Sequence, residues 1–432
     1  MHAEALSLWD SISLQQPEHP NVQFGIATAL ANLGHDGVAM QILMRGLNIN
    51  PECQDLWIQM AACLRRQQDV DAAKHCYNEL LKVELSPEQQ LHTYTGLAGC
   101  YINMGDPEKV IEWADAALGV DPNFIHARHA KALGLLEAGR WTEGWKWYAE
   151  RSKTPKYHIR DYGSIPQWDG KEKVKTLAVH AEQGLGDEII FASCLDEVRP
   201  FADRVVGECN ERLIELFARS FPWVKWYPTH ERLMQAETEI DAWYRMGDLP
   251  GLFRPEPKSC KGTAFLKADP VKVAGYKARL KALGPTPYIG LAWAGGTKET
   301  HEKVRNSGLD PWKDIAAKAP GTVISVQYKN GDELGLPFWP AAIADLDEFA
   351  ALLFALDVVV SCCQTAVHFA GGLGVPCIVA TPSKVAWRYG QTGEKMPWYS
   401  SVKLVRQIGD DWKPVFNKIG DELADLGRLQ AA

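Results

Sequence analysis

None of the ten cysteines stands in a C-x-x-C pair. That removes zinc-ribbon spacing and a dithiol redox centre. A disulfide framework does not suit a chain of 432 residues either, so the thiols fit a reducing cytoplasm, and a cytoplasmic protein is expected. There is no surplus of positive charge: the formal net charge is −8, with lysine and arginine dispersed, which argues against nucleic acid as a partner. No run approaches the ~18 apolar residues of a membrane span. The opening MHAEALSLWDSISLQQ has no basic stretch followed by an apolar core, so no leader or membrane span is expected. No Gly-Lys-Ser/Thr follows a glycine turn, which excludes a Walker loop. What remains is an ordinary apolar content of 46%, enough for two or three cored domains.

The first third repeats. Pro17, Pro51, Pro87 and Pro122 fall 34, 36 and 35 residues apart, and Gly34, Gly105 and Gly139 recur at matching places. Between them apolar residues run at helical spacing, as in Leu97, Ala98 and Tyr101. Each unit reads as two helices split at a glycine turn, with proline ending the second. The period matches the tetratricopeptide repeat. Units are expected at 20–53, 54–90 and 91–124, with a half unit before them and an aberrant one at 125–151. Such a solenoid offers a groove to a protein or glycan partner. Trp141, Trp145 and Tyr148 share one helix face, a pattern that fits a domain interface.

After residue 170 short apolar runs alternate with helical stretches, the mark of parallel sheets covered by helices. Two such units, 172–284 and 285–432, would hold a ligand between them at the strand carboxyl ends.

The stretch HAEQGLGDEIIF, His180 to Phe191, has the look of a phosphate loop with an acid in it. A dinucleotide fingerprint would need a third glycine where Ile189 stands, although Glu208 imitates the ribose-binding acid. Asp187 has two readings. It caps the free N–H groups of a helix start, or it projects into the cleft as a base. In the second unit, AWAGGTKETHEKVRNSG puts Gly295 and Gly296 after a strand, near Lys298, Lys303 and Arg305. Glycine turns with nearby cations suit a diphosphate. TAVHFAGGLGVP sets His368 near a helix start, as a phosphate donor or as a packed structural residue. The D-x-D of Asp345 and Asp347 opens a helical run, and capping explains it better than a metal.

Taken together, QWDG…HAEQGLGDEIIF, GLAWAGG…RNS, SVQYKNG, TAVHFAGGLGVP and WRYG…PWYSSVKLVRQIGDDW resemble bacterial tetratricopeptide proteins with a glycosyltransferase-like C-terminal region. Those are related to the ADP-heptose:lipopolysaccharide heptosyltransferases. The resemblance implies an N-terminal tetratricopeptide helical solenoid, 1–152, followed by a GT-B pair of Rossmann-like α/β domains. The first of the pair would serve the acceptor and the second the nucleotide-sugar. It implies Asp187 as catalytic base, with Gln183, Gly184 and Gly186 in the acceptor-side loop. Donor binding would fall to Gly295, Gly296, Lys298, Arg305, Gln327, Thr365, His368 and Gly371. No cofactor and no metal are implied. One departure stands out: the family's Asp-Thr pair ahead of the histidine is Cys363-Gln364 here.

The expected function is an inverting, metal-independent glycosyltransferase, moving a sugar from a nucleotide-diphosphate donor to an acceptor hydroxyl recognised partly by the repeat. Two other readings stay open. One is a non-catalytic repeat scaffold on a degenerate transferase fold, favoured by Cys363-Gln364. The other is a Rossmann oxidoreductase, opposed by Ile189.

Overall fold

The computed structural model describes residues 2–13, 19–153, 160–296 and 302–431. The chain forms two compact units, Met1–Ala138 and Gly139–Ala432.

The first unit is a stack of helix pairs. Pro20–Asn32 pairs with Asp36–Ile49, Gln54–Arg66 with Val70–Leu80, and Pro87–Met104 with Pro107–Val120. His2–Ser13 precedes them and Ile125–Glu137 follows. Alanines at the helix crossings, among them Ala27, Ala39, Ala61, Ala98 and Ala114, are buried and let the backbones approach, while Leu43, Leu56 and Leu97 fill the core. Gly105 ends its helix in the left-handed region, with φ 71°. In the second pair, where no glycine is available, Gln68 takes the same conformation at φ 68°. The prolines divide. Pro51 and Pro122 stand just past the ends of the helices Asp36–Ile49 and Pro107–Val120, as expected. Pro87 instead opens its helix at the first turn, as Pro107 does, because there the missing N–H would be unpaired anyway. Pro17 lies outside the described residues.

The second unit holds two sheets. The first contains β1 (Val174–His180), β2 (Ala202–Glu208), β3 (Val224–Tyr227) and β4 (Ala242–Arg245), all parallel, in the order β3-β2-β1-β4. The second contains β5 (Tyr288–Ala292), β6 (Thr322–Ser325), β7 (Val358–Cys362), β8 (Cys377–Thr381), β9 (Lys395–Met396) and β10 (Tyr399–Arg406). Its order is β6-β5-β7-β8-β10-β9. Only the two-residue β9, which the sequence pattern does not signal, runs antiparallel. β7 and β8 are buried along their whole length, which is why they read as unbroken apolar runs rather than alternating ones. Trp312 and Phe416, from the helices Asp310–Lys318 and Lys413–Ala431, close the core over Ile289, Leu291, Val358 and Val360. The GT-B pair of α/β halves is therefore present.

The helical unit closes earlier than 152. The helix Trp141–Tyr148 belongs with the α/β halves, against which its aromatic face packs. Trp145 Nε1 donates to the Arg254 carbonyl at 2.9 Å, and Thr142 Oγ1 to the Pro255 carbonyl at 3.0 Å. The Trp141 ring stacks on Trp398 at 5.4 Å and the Trp145 ring meets Trp387 edge-on at 5.3 Å.

Candidate functional site

The HAEQGLGD loop leaves the carboxyl end of β1 and enters the helix Leu185–Ala192. It rests on a buried ion cluster. Arg151, with no exposed side-chain surface, pairs with Glu182 and with Asp248 at 2.5 Å, and donates to the Tyr148 carbonyl at 2.8 Å. Gln183 adopts φ 69° and its Nε2 donates to the Tyr148 hydroxyl at 2.8 Å. The loop is thus fixed from below before any side chain reaches the cleft.

Asp187 sits in the first turn of that helix, where one carboxylate oxygen receives the Gly184 N–H at 3.4 Å. The capping reading is correct as far as it goes. The other oxygen, Oδ1, is engaged by Arg388 Nη2 across the cleft. Arg388 comes from the single turn Trp387–Tyr389 of the second half. Both side chains keep an edge in solvent, 19% for Asp187 and 17% for Arg388.

Gly186 faces the second half as well. A Cβ built there would stand 2.7 Å from Cδ2 of His368, so the glycine admits the imidazole where a substrate approach was expected. His368 is buried in the helix Thr365–Leu373. The Tyr389 and Tyr399 hydroxyls lie 3.5 Å from its Nε2 and Nδ1. Burial above all, then Arg388 and Arg305, hold it well below the ordinary histidine range. It is a neutral hydrogen-bonding group here, not a cation.

The remaining donor-side residues divide by position. Thr365 is the first residue of its helix, and Gln364 before it supplies no side-chain cap. Arg305 Nη1 donates to the Cys363 carbonyl at 3.3 Å. Gly296 adopts φ 91° and its carbonyl receives the Tyr328 hydroxyl at 3.4 Å. Three others are engaged by the protein itself. The Gly295 N–H donates to Asn306 Oδ1 at 3.0 Å, so it is not a free phosphate donor. Gln327 is fully buried and clamps Ala294, accepting its N–H at 3.1 Å and donating to its carbonyl at 2.9 Å. Gly371 lies inside the helix rather than at its start, and a Cβ there would meet the Tyr399 ring at 2.3 Å. Lys298 lies outside the described residues, as does the side chain of Lys303.

Sequence reasoning missed two arginines. Arg388 is one. Arg406, at the end of β10, donates from Nη2 to the Tyr389 carbonyl at 2.7 Å and from Nε to the Gly393 carbonyl at 2.6 Å. Burial holds its guanidinium below its ordinary value, and among the described residues no carboxylate pairs with it. Both lay in quoted motifs, WRYG and VKLVRQ, but nothing local marked them. Among the described residues Asp187 is the one carboxylate paired with Arg305, Arg388 or Arg406. The region keeps a surplus of positive charge suited to a multiply charged anion.

The rival signals have structural explanations. Glu208, the ribose-acid mimic, accepts from Nε and Nη2 of Arg160 at 2.6 to 3.0 Å, and Ile189 is buried in the core. That removes the dinucleotide arrangement. Asp345 caps the helix Leu346–Phe354, accepting from Asp347 N at 2.8 Å and Glu348 N at 3.3 Å. Asp347 pairs with Arg219 and Lys272. Among the described residues no group of three or more His, Cys, Asp or Glu could hold a metal. Burial raises the Cys363 thiol to about 11, so the strand end carries a neutral group. Glu188, beside Asp187 and also missed, accepts from Asn210 N at 3.0 Å, and burial pushes its carboxyl up to about 7. No helix among the described residues is long and apolar enough to cross a membrane.

A tetratricopeptide repeat family model matches residues 91–124. Protein FlbA of Caulobacter vibrioides is 30% identical over 454 aligned positions, which cover 96% of this chain and 74% of FlbA. Among solved structures, E. coli ADP-heptose lps heptosyltransferase II aligns at 13% identity over 60% of this chain and 100% of its own, with a TM-score of 0.43. The glycosyl transferase family 9 protein of Veillonella parvula aligns at 12% identity over 60% and 99%, with the same TM-score of 0.43. MamA of Desulfovibrio magneticus aligns at 18% identity over 35% of this chain and 84% of its own, with a TM-score of 0.29.

Proposed function

We propose a function from one premise: this chain belongs to the family of the Caulobacter vibrioides protein FlbA. Its α/β unit acts as an inverting glycosyltransferase that needs no metal, taking a sugar from a nucleotide-diphosphate donor to an acceptor hydroxyl. The observation that carries this reading is the juxtaposition across one cleft of Asp187 with Arg388, beside Arg305, Arg406 and the uncapped helix start at Thr365. A base stands on one side and an anion-binding surface on the other.

Asp187 takes the proton of the acceptor hydroxyl as its oxygen attacks the anomeric carbon. The bond from that carbon to the diphosphate oxygen breaks, and the configuration inverts. Arg305, Arg388 and the N–H groups of Thr365 and Ala366 meet the charge left on the diphosphate. Neutral His368, with Tyr389 and Tyr399, shapes the wall behind it. Gln327, Gly295 and Gly371 support this surface through their backbone and packing roles. Asp345 and Asp347, engaged in a cap and in ion pairs, take no part in the transfer. The repeat unit recognises a protein or glycan acceptor in its groove. Ten free cysteines fit a cytoplasmic setting.

The second reading, a scaffold without activity, is favoured by one observation: the strand end before His368 carries buried Cys363 and no carboxylate. A thermal-shift screen of ADP, GDP and UDP and their sugars separates the two, because a ligand that binds only the folded state raises the midpoint. The transferase reading expects a shift with at least one of them. It also expects turnover with that donor to fall on the order of 100-fold in Asp187→Asn. Absence of any shift would favour the scaffold.

A further inference from the structure

The Asp187–Arg388 pair joins residues 201 positions apart, one from each α/β half. As a catalytic arrangement it is incomplete: a carboxylate paired with a guanidinium is a weaker base towards a hydroxyl proton than a free one. The arginine is also under-used. Its Nε is buried with no hydrogen-bond partner among the described residues, and one of its five N–H groups reaches Asp187. A diphosphate oxygen pair would engage more of that fork than one carboxylate oxygen does. Arg305 and Arg406, whose hydrogen-bond partners among the described residues are carbonyls, pull a multiply charged anion to the same place. Asp187 would not swing loose without Arg388, because the Gly184 N–H still orients it.

From this we infer that Arg388 is a donor-sensing switch, exchanging Asp187 for the donor's diphosphate so that donor binding frees the base. Resting on the transferase reading, the switch adds an order: the carboxylate becomes available only once the donor is seated. Acceptor deprotonation without a donor in place is thereby suppressed, and the two halves are drawn together through one side chain that both the base and the donor claim.

The test is a double-mutant cycle on the full chain, read by titration calorimetry with whichever of ADP, GDP or UDP binds most tightly. In the parent, Asp187→Asn releases Arg388 from its competitor and should tighten nucleotide binding on the order of fivefold to tenfold. In an Arg388→Ala background the same substitution only relieves repulsion, so the gain should be smaller. Should Arg388→Ala fail to fold, as its melting curve would show, Arg388→Gln carries the same expectation. A gain in the Arg388→Ala background equal to or larger than that in the parent would mean that Arg388 merely neutralises Asp187, and the switch would be wrong. Unchanged affinity in Asp187→Asn would overturn it equally. In both cases the nucleotide still binds and the transferase reading survives. If none of the three binds the parent, that reading falls and the switch falls with it.

Discussion

The imidazole of His368 lies against the α-carbon of Gly186, so close that a single added methyl would stand 2.7 Å from Cδ2. A glycine of the first α/β half and a histidine of the second are thereby fitted to each other.

Gly186→Ala tests that fit. The glycine lies in a helix, where alanine is intrinsically preferred, so backbone conformation alone predicts stabilisation. The contact predicts the opposite, because neither the histidine nor the two tyrosine rings beside it has room to retreat. Overpacking of this kind costs about 1–3 kcal/mol. Thermal denaturation should show a lower midpoint for the variant, and an unchanged or higher one would mean that the ring yields freely.

Arg151→Met tests the platform under the loop. The substitution keeps much of the side-chain volume and removes the charge, leaving Glu182 without the arginine that faces it in a buried space, while Asp248 keeps Arg245 at 2.6 Å. Breaking a buried pair from one side costs about 3–5 kcal/mol. Urea denaturation should register a loss of that order. Adding Glu182→Gln should recover part of it, since one stranded carboxylate is then neutral.

Glu188 gives a pH signature. Its carboxyl is raised from 4.5 to about 7, by burial first and then by Glu208 and Asp187. Between those values the folded protein holds a proton that the unfolded chain has released. Stability therefore falls as pH rises from about 4.5 to about 7 and is level above that. The contribution lost is on the order of 3 kcal/mol. Denaturation measured at pH 5 and pH 8 should show a gap between parent and Glu188→Gln that is larger at the higher pH, the variant being the more stable there. A gap independent of pH would show that this carboxyl does not titrate as stated.

Much of the architecture was legible because it is periodic. The helix pairs follow from small residues and turn signals repeating at close to 35 positions, and the sheets from short apolar runs between helical stretches. Gly-Asp after a strand and a histidine near a helix start also carry local marks. The end of the helical unit was not legible. Trp141, Trp145 and Tyr148 lie at helical spacing whether they face a preceding repeat or the tryptophans at 387 and 398. Only packing selects between those partners.

The same division runs through the site. What the chain determined by itself were groups whose signal lies within a dozen residues: the loop bearing Asp187, the glycine turn at 295 and 296, and the segment holding His368. Local pattern reports backbone conformation, and these are places where the backbone must turn. Tertiary structure decided which of those groups are available. It engages Gln327 and the Gly295 N–H in internal hydrogen bonds, closes Glu208 with Arg160, and brings Arg388 and Arg406 to the cleft from motifs with no local mark. Those outcomes depend on charge pairing and burial between residues far apart in sequence. Coulomb attraction and desolvation act through space, so a pair 201 positions apart leaves no period to read along the chain.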